Sequence, residues 1–333
     1  MKNIKKWSTM LLSCAVMSVA MASMTACDMK ELFSDHFASN SNSDVVNVDD
    51  VQDVLTHGVE YKLSADGKSY VVNSVGTCTD AEIYILPMYN NLPVAQIDSM
   101  AFYRCKTLKK MVIPDSVTKI GWECFYECVN LEEVVLSNNL TYLDGYTFQG
   151  CTSLKEIIIP DSVTSMAGSV FYECSSLASV TIGNNLSSIG SYAFYRCTSL
   201  TKVVIPASVK TIIESAFLYC SALTEVTISD GVEIIGGFAF AYCENLTGVI
   251  IPDSVKSIGD NAFVSCNSLS SVKIGSGMTR IDASAFGYCG VLSSIVYNGT
   301  AEQWNAITKG VDWNIGTSAT EVICTDVRVS IQN

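Results

Sequence analysis

The chain has 333 residues, is 49% hydrophobic and only 16% charged, and carries a formal net charge of −13. That apolar content excludes wholesale disorder, and the acidic balance excludes a nucleic-acid binder, which needs a basic surface to neutralise phosphates. The two histidines, His36 and His57, both precede the main body, so a histidine-based triad or a histidine-rich metal site is excluded there. Length alone allows about two domains.

Taken from the start, Lys2, Lys5 and Lys6 precede an apolar run over 10–22 that is too short to span a bilayer. The run ends in Met24-Thr25-Ala26-Cys27, the layout of a secretory signal peptide. A cysteine directly after the cut resembles a bacterial lipobox, which implies lipidation of Cys27 and a membrane-anchored, exported chain. The alternative is an ordinary signal with an incidental cysteine. No other segment reaches 18 apolar residues, so no second span is expected. The segment 27–57, with Ser39-Asn40-Ser41-Asn42-Ser43 at its middle, is polar and aperiodic and reads as a flexible tether. Asp28, Glu31 and Asp35 follow the cysteine closely and resemble the acidic surface-export signal of Bacteroidota-type lipoproteins.

Next, Tyr61-Lys62-Leu63 and Tyr70-Val71-Val72 bracket Asp66-Gly67, a hairpin signal. Beyond it a repeat takes over. Phenylalanine recurs at Phe102, Phe125, Phe148 and onward to Phe286, at an interval that never changes. Cysteine keeps the same interval from Cys105 to Cys289 and leucine from Leu108 to Leu292, nine units in register without an insertion. Within a unit, Leu108, Met111 and Ile113 follow a period of two after the leucine, so this piece predicts a short strand with two faces. Val117 and Ile120 continue the inner set, and the close spacing of Phe102 and Cys105 predicts a helical or 3₁₀ turn on the opposite side. Such a coil cannot bury its apolar set without a neighbour above and below. Nine coils at the sheet spacing of roughly 4.8 Å stack into a rod of about 43 Å. Pro114, Pro160, Pro206 and Pro252 mark alternate rungs, a double unit that reads as the trace of a duplicated pair.

The phrase Ala-Phe-x-x-Cys-x-x-Leu-x-x-Val-x-Ile-Pro-x-Ser-Val-x-x-Ile-Gly, complete over 239–259, resembles the BspA-like class of leucine-rich repeat. The likeness extends over about 59–333. It implies a leucine-rich repeat solenoid, α/β or mainly β: a curved stack with a parallel sheet on the concave face and short helical or 3₁₀ turns on the convex face. The corresponding organisation is a signal peptide at 1–26, a tether at 27–57, an amino-terminal cap with hairpin at 58–100, nine repeats at 101–292 and a carboxy-terminal cap at 293–333. Ile83 to Val94, with Pro87 and Pro93, resembles the first cap. Tyr297-Asn298-Gly299-Thr300, Glu302-Gln303-Trp304, Trp313 and Cys324-Thr325-Asp326 resemble the second.

Fourteen cysteines invite a disulfide or metal reading, but an odd number of equivalent rungs cannot all pair, and bridging would break the register. The nine ladder cysteines are expected to be buried, inert thiols acting as small hydrophobes. Bridging among Cys78, Cys124 and Cys324 stays open.

The concave strand face is the default binding surface of such a solenoid. Alternation turns outward a first row of Lys110, Glu133, Glu156, Ser179, Lys202, Glu225, Gly248 and Ser271. It turns outward a second row of Val112, Val135, Ile158, Thr181, Val204, Thr227, Ile250 and Lys273. Strand propensity alone accounts for β-branched residues in the second row; a partner groove is the competing reading. Tyr103, Tyr126, Tyr172 and Tyr195 form a stripe on the convex side, either packing between turns or a second surface. Asp-Ser-Val at 115–117, 161–163 and 253–255 fits a Bacteroidota O-glycosylation acceptor and equally a turn into a buried valine. No phosphate loop or nucleophile elbow occurs and carboxylates are scattered, so no enzyme, cofactor or metal is expected. The family resemblance implies a surface protein that binds a protein or glycan, host matrix included. An envelope scaffold with a self partner and a nutrient-capture accessory are the alternatives.

Overall fold

The computed structural model describes residues 58–331; the expected signal peptide at 1–26, Cys27 and the expected tether lie outside the described residues. The chain winds into a β-solenoid of about 11 turns, mostly parallel, with a repeat of about 23 residues. Each coil contributes a front strand, such as Lys110–Val112 or Lys202–Ile205, and a two-residue side strand, such as Lys119–Ile120 or Thr211–Ile212. Every coil-to-coil pairing in the repeats joins a residue to its counterpart in the next unit: Lys110 lies beside Glu133, Glu156 beside Ser179 and Lys202 beside Glu225. A parallel ladder needs each strand to hold its neighbour's register, and an insertion-free repeat supplies it.

The third side of the coil is neither helical nor 3₁₀, contrary to the expectation from the Phe–Cys spacing. Among the described residues the one α-helix is Ala301–Ala306, outside the repeats. Instead, each repeat places the positions two before and two after its phenylalanine in the left-handed region, as at Tyr192 (φ 55°) and Arg196 (φ 55°) around Phe194. Such non-glycine residues cost about 1–2 kcal/mol each. What offsets this is a ladder: the amides of Tyr192, Phe194 and Arg196 donate to carbonyls of Glu214, Ala216 and Leu218 on the next coil. The intervening amides of Ala193, Tyr195 and Cys197 close tight turns onto the carbonyls of Gly190, Tyr192 and Phe194. A helix would spend every amide within its own coil; alternation lets this side join its neighbours as the strands do.

The core is one continuous column. The nine ladder phenylalanines are buried and stack 5.1–5.5 Å apart, with planes within 12° of parallel. From Cys128 to Cys289 each ladder thiol donates to the carbonyl of the phenylalanine in the preceding coil, as Cys128 does to Phe102, at 3.0–3.4 Å. The small side chain therefore packs as a hydrophobe and also ties one coil to the one before it. All twelve described cysteines are free and buried.

The alternation of proline rungs has a physical content beyond duplication. Asp115 and Asp161 of proline rungs accept from the backbone amides and side chains of Asn138 and Asn184, one coil on. Asp253 does the same for Ser276. At three of the four proline rungs a rung carrying the acceptor is thus followed by a rung carrying the turn it caps; at the fourth, Ala207 follows Pro206 in place of the aspartate. The Ser162 and Ser254 hydroxyls donate to carbonyls of the preceding coil at 2.7 Å, a role within the turn rather than one presented to solvent.

Both ends of the column are covered. An antiparallel hairpin, Glu60–Leu63 with Tyr70–Ser74, lies at the first end, turning through Gly67 at φ 70°. At the other, Trp313 sits edge-on to Phe286 at 6.2 Å and Trp304, from the helix Ala301–Ala306, packs against Trp313. That helix carries a capping box between Thr300 and Gln303, and Asp326 accepts from the Ala301 amide.

Candidate binding surface

The front strands alternate buried and outward positions, so one set of side chains builds the core and the other builds an outward face. All the residues expected on this face lie on it, in two rows. In the first row Lys110 pairs with Glu133 and Lys202 with Glu225, both at 2.8 Å. The hydrogen bond from Lys202 to Glu225 raises the lysine above its ordinary range. Glu156 lies between Glu133 and Ser179 with no ion pair among the described residues.

The second row is more apolar than solubility requires. Ile158 and Ile250 are each 65% exposed, Val204 59% and Val135 38%. Thr181, Thr227 and Lys273 are exposed between or after them, and Val112 is half-buried. The second-row residues recur at one repeat position on successive coils; their strands pair in register in three groups, with the ladder interrupted between Val135 and Ile158 and between Thr181 and Val204. A sheet face needs β-branched residues for its strands, but not at such exposure on several coils.

The first end of this face escapes the repeat arithmetic, and the last end keeps it. Tyr84 pairs with Val112 and Glu82 with Lys110, extending both rows into the first cap. The step from Tyr84 to Val112 is longer than the repeat, so no periodic rule reaches these positions. Ser294 and Val296 continue the rows after Ser271 and Lys273, at the spacing a tenth unit would have.

On the turn side, Tyr103 stacks on Tyr126 at 5.0 Å and Tyr172 on Tyr195 at 4.5 Å, so the expected tyrosine stripe packs coil to coil. Arg104 and Arg196 lie over these rings and pair with Glu127 and Glu173. Tyr146, Tyr192 and Gln149, which the sequence does not single out, join Tyr172, Tyr195 and Ser169 around a shallow open groove of about 580 Å³. They occupy two different repeat positions, and a search along one column does not find them. Among the described residues no three His, Cys, Asp or Glu side chains gather to hold a metal ion.

A coil of this pattern, capped at both ends and open along one sheet face, defines a leucine-rich repeat solenoid. The chain belongs to the BspA type leucine rich repeat family, whose model matches in six copies over 89–200 and 187–307. Among solved structures it is similar to the T. pallidum leucine rich repeat protein TpLRR. The identity is 29% and the TM-score 0.54, over 57% of this chain and 88% of that one. A leucine-rich repeat protein from Bacteroides ovatus shares the fold, at 20% identity and a TM-score of 0.53 over 78% of this chain and 80% of that one. No curated protein sequence matches the chain. Membership of this family gives the chain a protein-interaction role at the coarse level.

Proposed function

We propose that the chain is a cell-surface binding protein, tethered by lipid on Cys27, whose front-strand face takes up a protein partner outside the cell, a host matrix protein in the adhesion reading. The observation that carries this is the set Val135, Ile158, Val204 and Ile250, apolar and exposed at one repeat position of the front strands. An apolar line beside paired charges suits a partner that buries the line and matches the charges at its edge. Family membership supports the interaction role. The signal-like segment 1–26, with Cys27 directly after it, supports export and tethering.

The test is binding of the full chain to an array of host matrix proteins, with Glu133→Lys/Glu156→Lys beside it. A specific partner retained by the parent and weakened in the variant supports the proposal. Binding that survives the reversal contradicts it, and silence toward every matrix protein contradicts the adhesion reading. Tethering has its own test. Cys27→Ala should move the chain from the membrane fraction to the soluble one, and an unchanged distribution would sink the lipid anchor.

A further inference from the structure

The turn side carries a second candidate site that shares no residue with the strand face. Tyr146 and Tyr192 are exposed and occupy the same position two coils apart. Between them that position holds the buried Ser169, so the two rings wall a notch with a small polar floor. The two steps are 5.5 and 5.2 Å along the phenylalanine column beneath. Trp122 stands edge-on to Tyr146 at 6.2 Å, and Tyr192 edge-on to Tyr195 at 5.8 Å.

The polar groups point to one ligand chemistry. Gln149 lines the groove, and its Oε1, shielded from solvent, accepts no hydrogen bond among the described residues. A shielded acceptor without a donor costs about 1–3 kcal/mol, and a turn of the Gln149 amide into the groove, where a ligand hydroxyl could donate to it, would remove that cost. Beside the groove, Arg196 and Glu173 pair at 3.3 Å and neutralise each other, so nothing there selects a charged ligand. Ring faces carry negative electrostatic potential that attracts polarised C–H groups, while phenol and amide edges exchange hydrogen bonds. An open, shallow, uncharged surface with both features fits a molecule carrying C–H faces and hydroxyl edges.

We propose that this groove binds a neutral oligosaccharide, with Tyr146 and Tyr192 contacting sugar faces and Gln149 Oε1, turned into the groove on binding, accepting from a hydroxyl. The experiment titrates the full chain with neutral hexose and N-acetylhexosamine oligosaccharides, read by the fluorescence of Trp122 and by calorimetry. At least one should bind saturably. Tyr146→Ala/Tyr192→Ala should weaken it by roughly tenfold or more, Gln149→Leu should weaken it too, and Ile158→Lys/Ile250→Lys on the strand face should leave it unchanged. Circular dichroism melts check that each variant folds; if the double variant does not, the single Gln149→Leu and Tyr192→Phe variants decide, the latter losing only hydroxyl contacts. No binding by any sugar, or binding undiminished in folded groove variants, overturns the proposal. So does capture of a proline-rich peptide with no sugar bound.

Discussion

At the scale of the residue, the ladder phenylalanine and cysteine behave as one unit. Phe217 is fully buried and stacks at 5.1 Å on both Phe194 and Phe240. Phe217→Ala removes both contacts from a column that cannot collapse without breaking its register, and a loss of about 3–5 kcal/mol is expected in denaturant unfolding. The thiols give the fold a pH limit. Burial pushes Cys128 up to about 12, and Cys151, Cys174, Cys197, Cys220 and Cys243 are raised by the same cause. A group raised in the folded state contributes its full stability below its unfolded value, about 8.5 for a thiol, and loses it as pH rises toward the folded value. The melting temperature should therefore fall steadily above about pH 8.5, and less steeply in Cys220→Ala. A flat profile far into the alkaline range would contradict the burial. The phenylalanine, cysteine and leucine positions were legible in the sequence because burial and period coincide there. The thiol's bond to the preceding coil was not, because it joins Cys128 to Phe102 rather than to its own counterpart, Cys105.

At the scale of the element, turn chemistry decides how far the sequence can be read. The front strands follow from Leu108, Met111 and Ile113 alternating inward. The turn side differs from expectation because the Phe–Cys spacing fits a helical turn and this alternating left-handed path equally well. Left-handed residues such as Glu173 and Tyr192 carry no signature glycine to reveal them. Where a glycine is required, the structure says why. A Cβ on Gly183 would lie 2.5 Å from the carbonyl oxygen of Pro160, on backbone that cannot swing aside. Gly183→Ala should cost about 1–3 kcal/mol, and chemical denaturation of the variant measures it. The alternating rung has an acid limit too. Hydrogen bonds from the Ser276 amide, then from Asn298, hold the Asp253 carboxyl below the usual range. A lowered group stabilises the fold above its unfolded value, about 3.9, and that contribution disappears as pH falls through the folded value. Asp253→Asn should flatten the acid side of the melting profile.

At the scale of the whole molecule, the solenoid does two things that no single coil does. It closes a column of nine phenylalanines under Trp313, and it sets outward residues of separate coils at one repeat position, coil after coil. Trp313→Ala should expose Phe286 and lower stability by about 3–5 kcal/mol. The strand face was legible in the sequence because its outward positions obey a period of two within the longer repeat. Its extension to Tyr84 breaks that arithmetic, and the groove joins Tyr146 and Tyr192 from one repeat position to Gln149 from another, so only the folded chain brings them together. The most direct measurement is a paired titration of a matrix-protein partner with the full chain, with Ile158→Lys/Ile250→Lys and with Tyr146→Ala/Tyr192→Ala. If the strand face holds the protein partner, the first variant loses binding by roughly a hundredfold and the second keeps it, since two charges would then sit unpaired in a buried line. Equal binding by the parent and the strand-face variant would contradict the assignment of function to that face.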